Sequence, residues 1–244
     1  MKSTIRIVLA VLLISIPGLR CTKDADPIKK ICYPTMITTS ASGFTSAMSY
    51  SYNSNHEVLS TSLTTTTGTN TTVVTTAFTY NSDGQIISSS ENSSSSGVST
   101  GTYTYDINHN LKQEDHSAGG ILQSSFIYHY NSTLQLIGVE YAYFGLGANT
   151  STTNYEYQVP VARNPIKIIS TTGAVWTYEY DTKPNPLKVL FVSLQPDNNV
   201  TKLTYTSGGS TTTSVYTYQY DANRYPVSRT SSDGEAKTYA YDCK

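Results

Sequence analysis

The sequence predicts an all-β protein: a curled antiparallel meander of repeated Tyr-rich hairpins, closed as a barrel or left open as a trough, with one short helix. Three observations carry that prediction. A Tyr-x-Tyr unit closing on Asn, Asp or Gln recurs through the chain, and Thr- and Ser-rich runs broken by Asn, Asp and Gly lie between its copies. One longer interval holds a stretch with helical periodicity. Composition agrees, because charged residues are 14% of the chain with a net charge of −1, against about 25% in typical soluble domains. The water-facing surface must therefore consist of hydroxyls and amides. No electrostatic footprint for nucleic acid is present, and 21 Tyr against 5 Phe and 1 Trp make any core amphipathic.

The chain opens "MKSTIRIVLAVLLISIPGLRC", with Lys2 and Arg6 leading into an apolar run to Ile16, the pattern of a secretory signal over residues 1–20. The run is shorter than the roughly 20 apolar residues a membrane span needs. Cys21 follows at the place where lipoprotein signals are cut and acylated, although Gly18 and Arg20 depart from the usual Leu and small residue before it. "CTKDAD", Cys21 to Asp26, resembles the Cys-x-Lys-Asp/Glu tether of lipoproteins that some Gram-negative bacteria send to the outer face of the outer membrane. Residues 21–31 are thus expected to be a lipidated tether and residues 32–244 a single domain. Acyl chains, at about 0.8 kcal/mol per buried methylene, hold such a protein without a spanning helix. Cys32 and Cys243 remain, at opposite ends of the domain, and in an oxidising compartment they are expected to form a disulfide staple. They lack the close spacing of zinc ligands.

The repeat reads "YSYN" at 50, "FTYN" at 78, "YTYD" at 103, "YHYN" at 128, "YEYQ" at 155, "YEYD" at 178, "YQYD" at 218 and "YAYD" at 239. A spacing near 25 residues, interrupted once by an interval of 40, accommodates two strands and two short turns, one hairpin per repeat. Residues two apart in a strand share a face, so Tyr lines one face and the intervening Ser, Thr, His, Glu, Gln or Ala lines the other. Return strands bring apolar pairs: Val58 with Leu59, Ile86 with Ile87, Leu134 with Leu136, and Ile166 with Ile168. The Asn or Asp after the second Tyr suits a turn, since both side chains bond the local backbone. A set of calcium ligands is not expected, because "NSDGQIISSSEN" lacks the alternating carboxylates of an EF-hand loop. In the long interval Leu187, Leu190, Phe191 and Leu194 fall at helical spacing, with Asn185 as cap, Pro186 in the first turn and Pro196 as the stop. That stripe is expected to cover the Tyr face.

About fifteen strands cannot stay in one flat sheet, because twist accumulates. A propeller would need about 40 residues per blade, and a membrane-spanning barrel would need apolar residues where Ser and Thr face outward. The serial "YTYD" hairpins resemble the YD repeats of Rhs-type and related cell-surface proteins. "NPLK", "NNVTKLTY" and "YTYQYDANRYPVSRT" in the C-terminal half are similar to a family of β-rich bacterial lipoproteins of unknown function. The resemblance implies an architecture and an address, without a reaction. In the turns, His109, Leu134 and Tyr225 replace the usual Gly of the repeat.

Motifs of chemistry do not emerge. His56, His109, His116 and His129 show no metal spacing, and the Gly-x-Ser-x-Gly, P-loop and His-Glu-x-x-His patterns are missing from the sequence. Asp115 adjoins His116, but neighbours on a strand point to opposite faces. No cofactor and no metal are expected. The function expected is that of a non-enzymatic, surface-exposed lipoprotein of the outer membrane with a binding or structural role. Its partners would be the membrane, through the lipid anchor, and an extracellular glycan or protein, with no nucleic acid. Carbohydrate binding or adhesion, with Tyr stacking on sugar rings, and hydrolysis of extracellular polymers are the alternatives.

Overall fold

The computed structural model describes residues 30–145, 149–158, 163–188 and 194–244. Among these residues sixteen strands follow one another. The first eight are β1 Cys32–Ala41, β2 Phe44–Tyr52, β3 Val58–Thr67, β4 Asn70–Tyr80, β5 Ile86–Ser93, β6 Gly97–Tyr105, β7 Leu111–Ala118 and β8 Ile121–Tyr130. The second eight are β9 Leu136–Tyr143, β10 Asn149–Tyr157, β11 Pro165–Ser170, β12 Val175–Pro184, β13 Asn198–Ser207, β14 Ser210–Tyr220, β15 Pro226–Ser231 and β16 Ala236–Cys243. Each pairs antiparallel with its sequence neighbours, and β1 pairs with β16, so the meander closes into a barrel rather than an open trough. Closure removes the exposed strand edges that an open sheet would present. The low-complexity Thr and Ser runs are strands: β3 with β4, and β5 with β6.

The signal segment 1–20, Cys21 and most of the 21–31 tether lie outside the described residues, as does the centre of the expected helix at Leu190 and Phe191. At the edge of that segment the Leu187 amide donates to the Asn185 side chain at 3.0 Å, as a cap would require, and residues 186–188 form a turn. Among the described residues there is no α-helix.

The repeat becomes a structural unit with the same irregularity in each copy. A strand ends in Tyr-x-Tyr, a turn follows, and pairing to the return strand slips by one residue at the second Tyr: Tyr52 opposite Val58, Tyr80 opposite Ile86, Tyr105 opposite Leu111, Tyr130 opposite Leu136. The slip is a β-bulge, which interrupts the ladder and increases local twist. The first residue of the return strand is buried, as at Val58, Ile86, Leu111 and Leu136, while its neighbours Leu59, Ile87 and Ile137 are exposed. The expected apolar pairs are therefore split between core and solvent, and Leu134 belongs to a turn.

Phenol hydroxyls link most units to the one before. Tyr52 donates to the Pro34 carbonyl at 2.7 Å, Tyr80 to Val58 at 2.7 Å, Tyr105 to Ile86 at 2.9 Å and Tyr130 to Leu111 at 2.9 Å. Tyr180 donates to Pro165 at 2.8 Å and Tyr241 to Pro226 at 2.7 Å. Each acceptor is the bulge carbonyl of the preceding unit, a backbone group that would otherwise be left unpaired beside the core. One exchange occurs: Tyr218 takes the Val200 carbonyl at 2.9 Å, and Tyr220 donates to the Asp181 carboxylate instead. The relation runs across the seam, because Pro34 on β1 serves Tyr52 while Tyr241 on β16 lies opposite Pro34. β16 and β1 thus form the eighth unit, assembled from the two ends of the domain. Where the other units have a turn, this one has the Cys32–Cys243 disulfide. Beyond it, Ile31 and Lys244 exchange a reciprocal pair of backbone hydrogen bonds at 3.2 and 3.1 Å.

The turns answer the Asn/Asp alternation seen in the sequence. Asn53 Oδ1 accepts from the Asn55 and Glu57 amides at 2.9 and 3.0 Å, and Asn81, Asp106 and Asn131 repeat the geometry. The residue four positions later is matched to it. Asn53, Asn81 and Asn131 donate their amide NH2 to Glu57, Gln85 and Gln135, whereas Asp106, which has only acceptors, receives from the Asn110 amide. Asp181 receives from Asn199 in the same way across the long insertion. Left-handed backbone occurs at Gly84 and, in the equivalent place, at His56, His109, Leu134 and Arg224. The residue standing for Gly in the last turn is therefore Arg224 rather than Tyr225, and His56 joins the set. At the opposite end of the barrel the hairpins are tight, as at Gly208 and Gly209 with φ of 56° and 82°, where both central residues of the turn need positive φ.

Reducing Cys32–Cys243, or replacing both cysteines by Ala, should lower stability by about 2 to 5 kcal/mol, read as a drop in melting temperature; an unchanged melt would show that the seam holds without it. Asn53→Asp should destabilise by about 1 kcal/mol by setting a carboxylate against Glu57. Adding Glu57→Asn, which recreates the Asp106–Asn110 pairing, should recover the loss in a double-mutant cycle. Burial raises the Tyr80, Tyr105, Tyr157 and Tyr178 phenols to about 12. In the unfolded chain they ionise near pH 10, so the folded state retains more protons between about pH 10 and 12, and stability is complete below about pH 10 and falls across that window. Phenolate absorbance should therefore rise together with loss of β-structure in alkaline titration, whereas smooth ionisation of the folded barrel would contradict it.

Candidate functional site in the barrel lumen

Alternation along every strand places one set of side chains outside and the other in the lumen. On β14, Tyr216, Tyr218 and Tyr220 are shielded while Val215, Thr217 and Gln219 are exposed. Counting three residues inward from each bulge gives one lumen layer of equivalent positions: Ile37, Thr61, Ser89, Glu114, Val139, Ile168, Leu203 and Arg229. Two of them are charged. Glu114 is on β7 and Arg229 on β15, half a circuit apart, so the layer carries an acidic side and a basic side.

On the acidic side, Glu114 is held by His116 Nε2 at 2.5 Å and by the Tyr128 hydroxyl at 2.8 Å. The hydrogen bond from Glu114 raises the His116 pKa above its ordinary value. Glu91 stands on β5, one strand beyond β6, with the Ser99 hydroxyl of β6 3.5 Å from it. Asp115 turns the other way and bonds Gln113, as strand alternation requires. On the basic side, Arg229 and Lys237 are paired residues of β15 and β16. The Arg229 guanidinium pairs with Glu235 and lies over the Tyr216 ring, 4.4 Å from its centre. Lys237 Nζ is 3.8 Å from the same Glu235, and burial, with Arg229 adding to it, lowers its pKa.

The interval of 40 residues in the repeat is an insertion in one turn. Asp181 and Asn199 hold the places of Asn53 and Glu57 but are eighteen residues apart rather than four. The inserted chain returns into the barrel. Leu194 packs against the core cluster of Val58, Phe78, Ile86, Tyr103 and Leu111 on the far wall. The insertion is fastened by Asn164, whose Oδ1 accepts from the Asp197 amide at 2.8 Å and whose Nδ2 donates to Asn198, and by a Lys188–Asp197 ion pair. Between the insertion and the β14–β16 and β1–β3 wall lies a cavity of about 340 Å³. Its wall carries Arg229, Lys237, Tyr218, Tyr239 and Tyr50 beside Ile37, Met48 and Leu63. A second cavity of about 410 Å³ opens among the turns, between His56, Tyr80, His109 and Arg163.

Of the residues singled out in the sequence, the structure joins Cys32 to Cys243 and leaves Cys21 outside the described residues. The four histidines are dispersed. His56 stacks on Tyr33 with centroids 4.7 Å apart and is half-buried in its turn, whereas His109 is exposed. His116 is in the lumen, and His129 pairs with Glu140 on the outer wall. Sequence reasoning missed Arg229, Lys237 and Glu114. Their only signal was parity: each sits an even number of residues from a Tyr or a position opposite one, on the face that otherwise carries Tyr and aliphatics.

The outer wall is rich in hydroxyls, with exposed aliphatics such as Leu59, Ile87, Ile137, Ile166 and Val227 among them. Thr38 meets Thr238, Ser51 meets Ser60, Thr79 meets Ser88 and Thr204 meets Thr213 across adjacent strands. Ion pairs Lys167–Glu156, Lys202–Glu179 and His129–Glu140 lie among them. Membrane-spanning barrels present an apolar band at these positions.

No family model matches the chain, and no curated protein matches it. Among solved structures it is similar to a porin-like protein from Bacteroides uniformis, at 14% identity over 86% of this chain and 98% of that one, with a TM-score of 0.44. A porin-like protein from Bacteroides vulgatus is similar at 13% identity over 87% and 99%, with a TM-score of 0.46. A chain of a TcdB2-TccC3-Cdc42 complex aligns at 16% identity over 76% of this chain but 11% of its own length, with a TM-score of 0.27.

Proposed function

We propose that this protein is a non-enzymatic binding barrel held at the surface of the outer membrane by a lipid on Cys21, with its wall standing in water and its ligand received in the lumen. The observation that carries the reading is the cavity between the insertion and the wall, where charged and phenolic groups converge beside aliphatic ones, the composition of a small-molecule site. The address rests on the leader, the cysteine and the tether in the sequence, and a wall rich in hydroxyl pairs and ion pairs suits a barrel that stands off the bilayer. Carbohydrate or adhesive binding on the outside has less support, since the exposed aromatic platforms among the described residues are Tyr143, Phe144 and Tyr205. One observation favours a second reading, a hydrolase of extracellular polymers: Glu91 and Glu114 put two carboxylates on one side of the lumen, the minimum set for glycoside hydrolysis.

Native mass spectrometry of the protein extracted from its own membrane tests both. The expected result is a diacyl or triacyl mass on the Cys21 peptide, a small molecule retained by the barrel, and no turnover across glycans, esters and peptides. Turnover of a glycan that disappears in Glu114→Gln would replace the binding reading with the hydrolase one, and an unacylated Cys21 would remove the anchor.

A further inference from the structure

We propose that the lumen cavity beneath the insertion is a site for an amphipathic organic carboxylate, a monoanion with a short apolar body; this rests on the binding reading above and names its ligand class. Charge is the first argument. Arg229 and Lys237 share a single carboxylate, Glu235, so this side of the lumen carries one positive charge in excess. Arg229 already holds Glu235 and the Tyr216 face. Lys237 Nζ, at 3.8 Å from Glu235, is beyond hydrogen-bond distance, and among the described residues no acceptor completes it. A half-buried ammonium with vacant donors is costly unless an anion meets it.

Donor geometry is the second argument. The Tyr239 hydroxyl follows Lys237 by two residues on the same face of β16, and Tyr50 faces the cavity from β2. Both are the first Tyr of their doublets, and the bulge carbonyls are served by the second Tyr, or by Tyr218 where it takes Val200. Tyr239 and Tyr50 donate to no protein group among the described residues, and so remain available to a carboxylate oxygen alongside Lys237. The remainder of the wall is apolar: Ile37, Met48 and Leu63 on the barrel, with Pro186 and Leu187 from the insertion. An inorganic anion would leave these without a partner. The volume of about 340 Å³ is at the lower end of the range for small-molecule sites, about 300 to 1,000 Å³, and suits a short acyl or aryl body rather than a whole lipid. One surplus charge matches a carboxylate better than a phosphate dianion.

Calorimetric titration of the complete mature protein with decanoate, decan-1-ol, decylamine and acetate tests this without any variant. Decanoate should bind, with decan-1-ol weaker on the order of tenfold or more, the worth of a charge-assisted hydrogen bond, and with decylamine and acetate undetected. Lys237→Met should weaken decanoate by a similar factor and leave decan-1-ol unchanged, with an unaltered melting temperature. Tyr239→Phe, which removes a single donor, is the second variant should Lys237→Met not fold. Equal binding of decanoate and decylamine, or undiminished decanoate binding in a folded Lys237→Met, overturns the proposal. A retained native ligand of another class, with no decanoate binding, overturns the ligand class and leaves the binding reading in place; glycan turnover removes that reading itself.

Discussion

The bond from a tyrosine hydroxyl to the bulge carbonyl of the preceding unit is the interaction on which this barrel depends. Each bulge gives the sheet additional twist and bend, which a closed meander of sixteen strands needs, and each leaves a backbone carbonyl beside the core without its ladder partner. A phenol placed two residues from a second phenol on the same face can reach that carbonyl while its ring fills the wall. Phe could fill the space but not the hydrogen bond, which accounts for the second-position Tyr52, Tyr80, Tyr105, Tyr130, Tyr180 and Tyr241, whose hydroxyls reach a bulge carbonyl, and for Phe78 being tolerated at a first position.

The same logic makes the seam intelligible. A chain that closes on itself must complete one unit from its two ends, and that unit lacks a covalent turn. β1 supplies Pro34 to Tyr52 and receives Tyr241 opposite it, so the hydroxyl ladder crosses the gap unbroken. The disulfide provides the connection that turn hydrogen bonds supply elsewhere. Its loop encloses nearly the entire domain, the case in which a cross-link most restricts the unfolded chain.

Regularity in the wall also explains why departures from it point to the site. Most turns inside the units are short, and the one that is long sends its chain back into the lumen. Lumen positions are phenolic, aliphatic or hydroxylic, and those that carry charge stand at opposite poles, Glu114 with His116 on one and Arg229 with Lys237 on the other. A buried charge is retained only where something stabilises it. Glu114 is satisfied by two protein donors, whereas Lys237 is left with free ones. The asymmetry between these poles, rather than any catalytic motif, distinguishes the basic side as the place where a ligand completes the structure.

Much of the fold was legible without coordinates. Alternation forced the Tyr-x-Tyr doublets onto one face, the Asn/Asp mixture marked turns rather than metal ligands, and two cysteines at the ends of the domain indicated a staple, because each depends on local geometry or on counting. The bulges were not legible, since a slip of one residue is a property of two paired strands; hence Val58 is buried and Leu59 exposed although both are aliphatic. The complementarity of Asn53 with Glu57 and of Asp106 with Asn110 is present in the residues, yet it acquires meaning only once the turn brings the two side chains together. Closure, the inward course of the insertion and the opposition of Glu114 to Arg229 were decided by tertiary structure alone. They join residues over a hundred positions apart, and only the wrapping of eight units into one circuit determines which of them face each other.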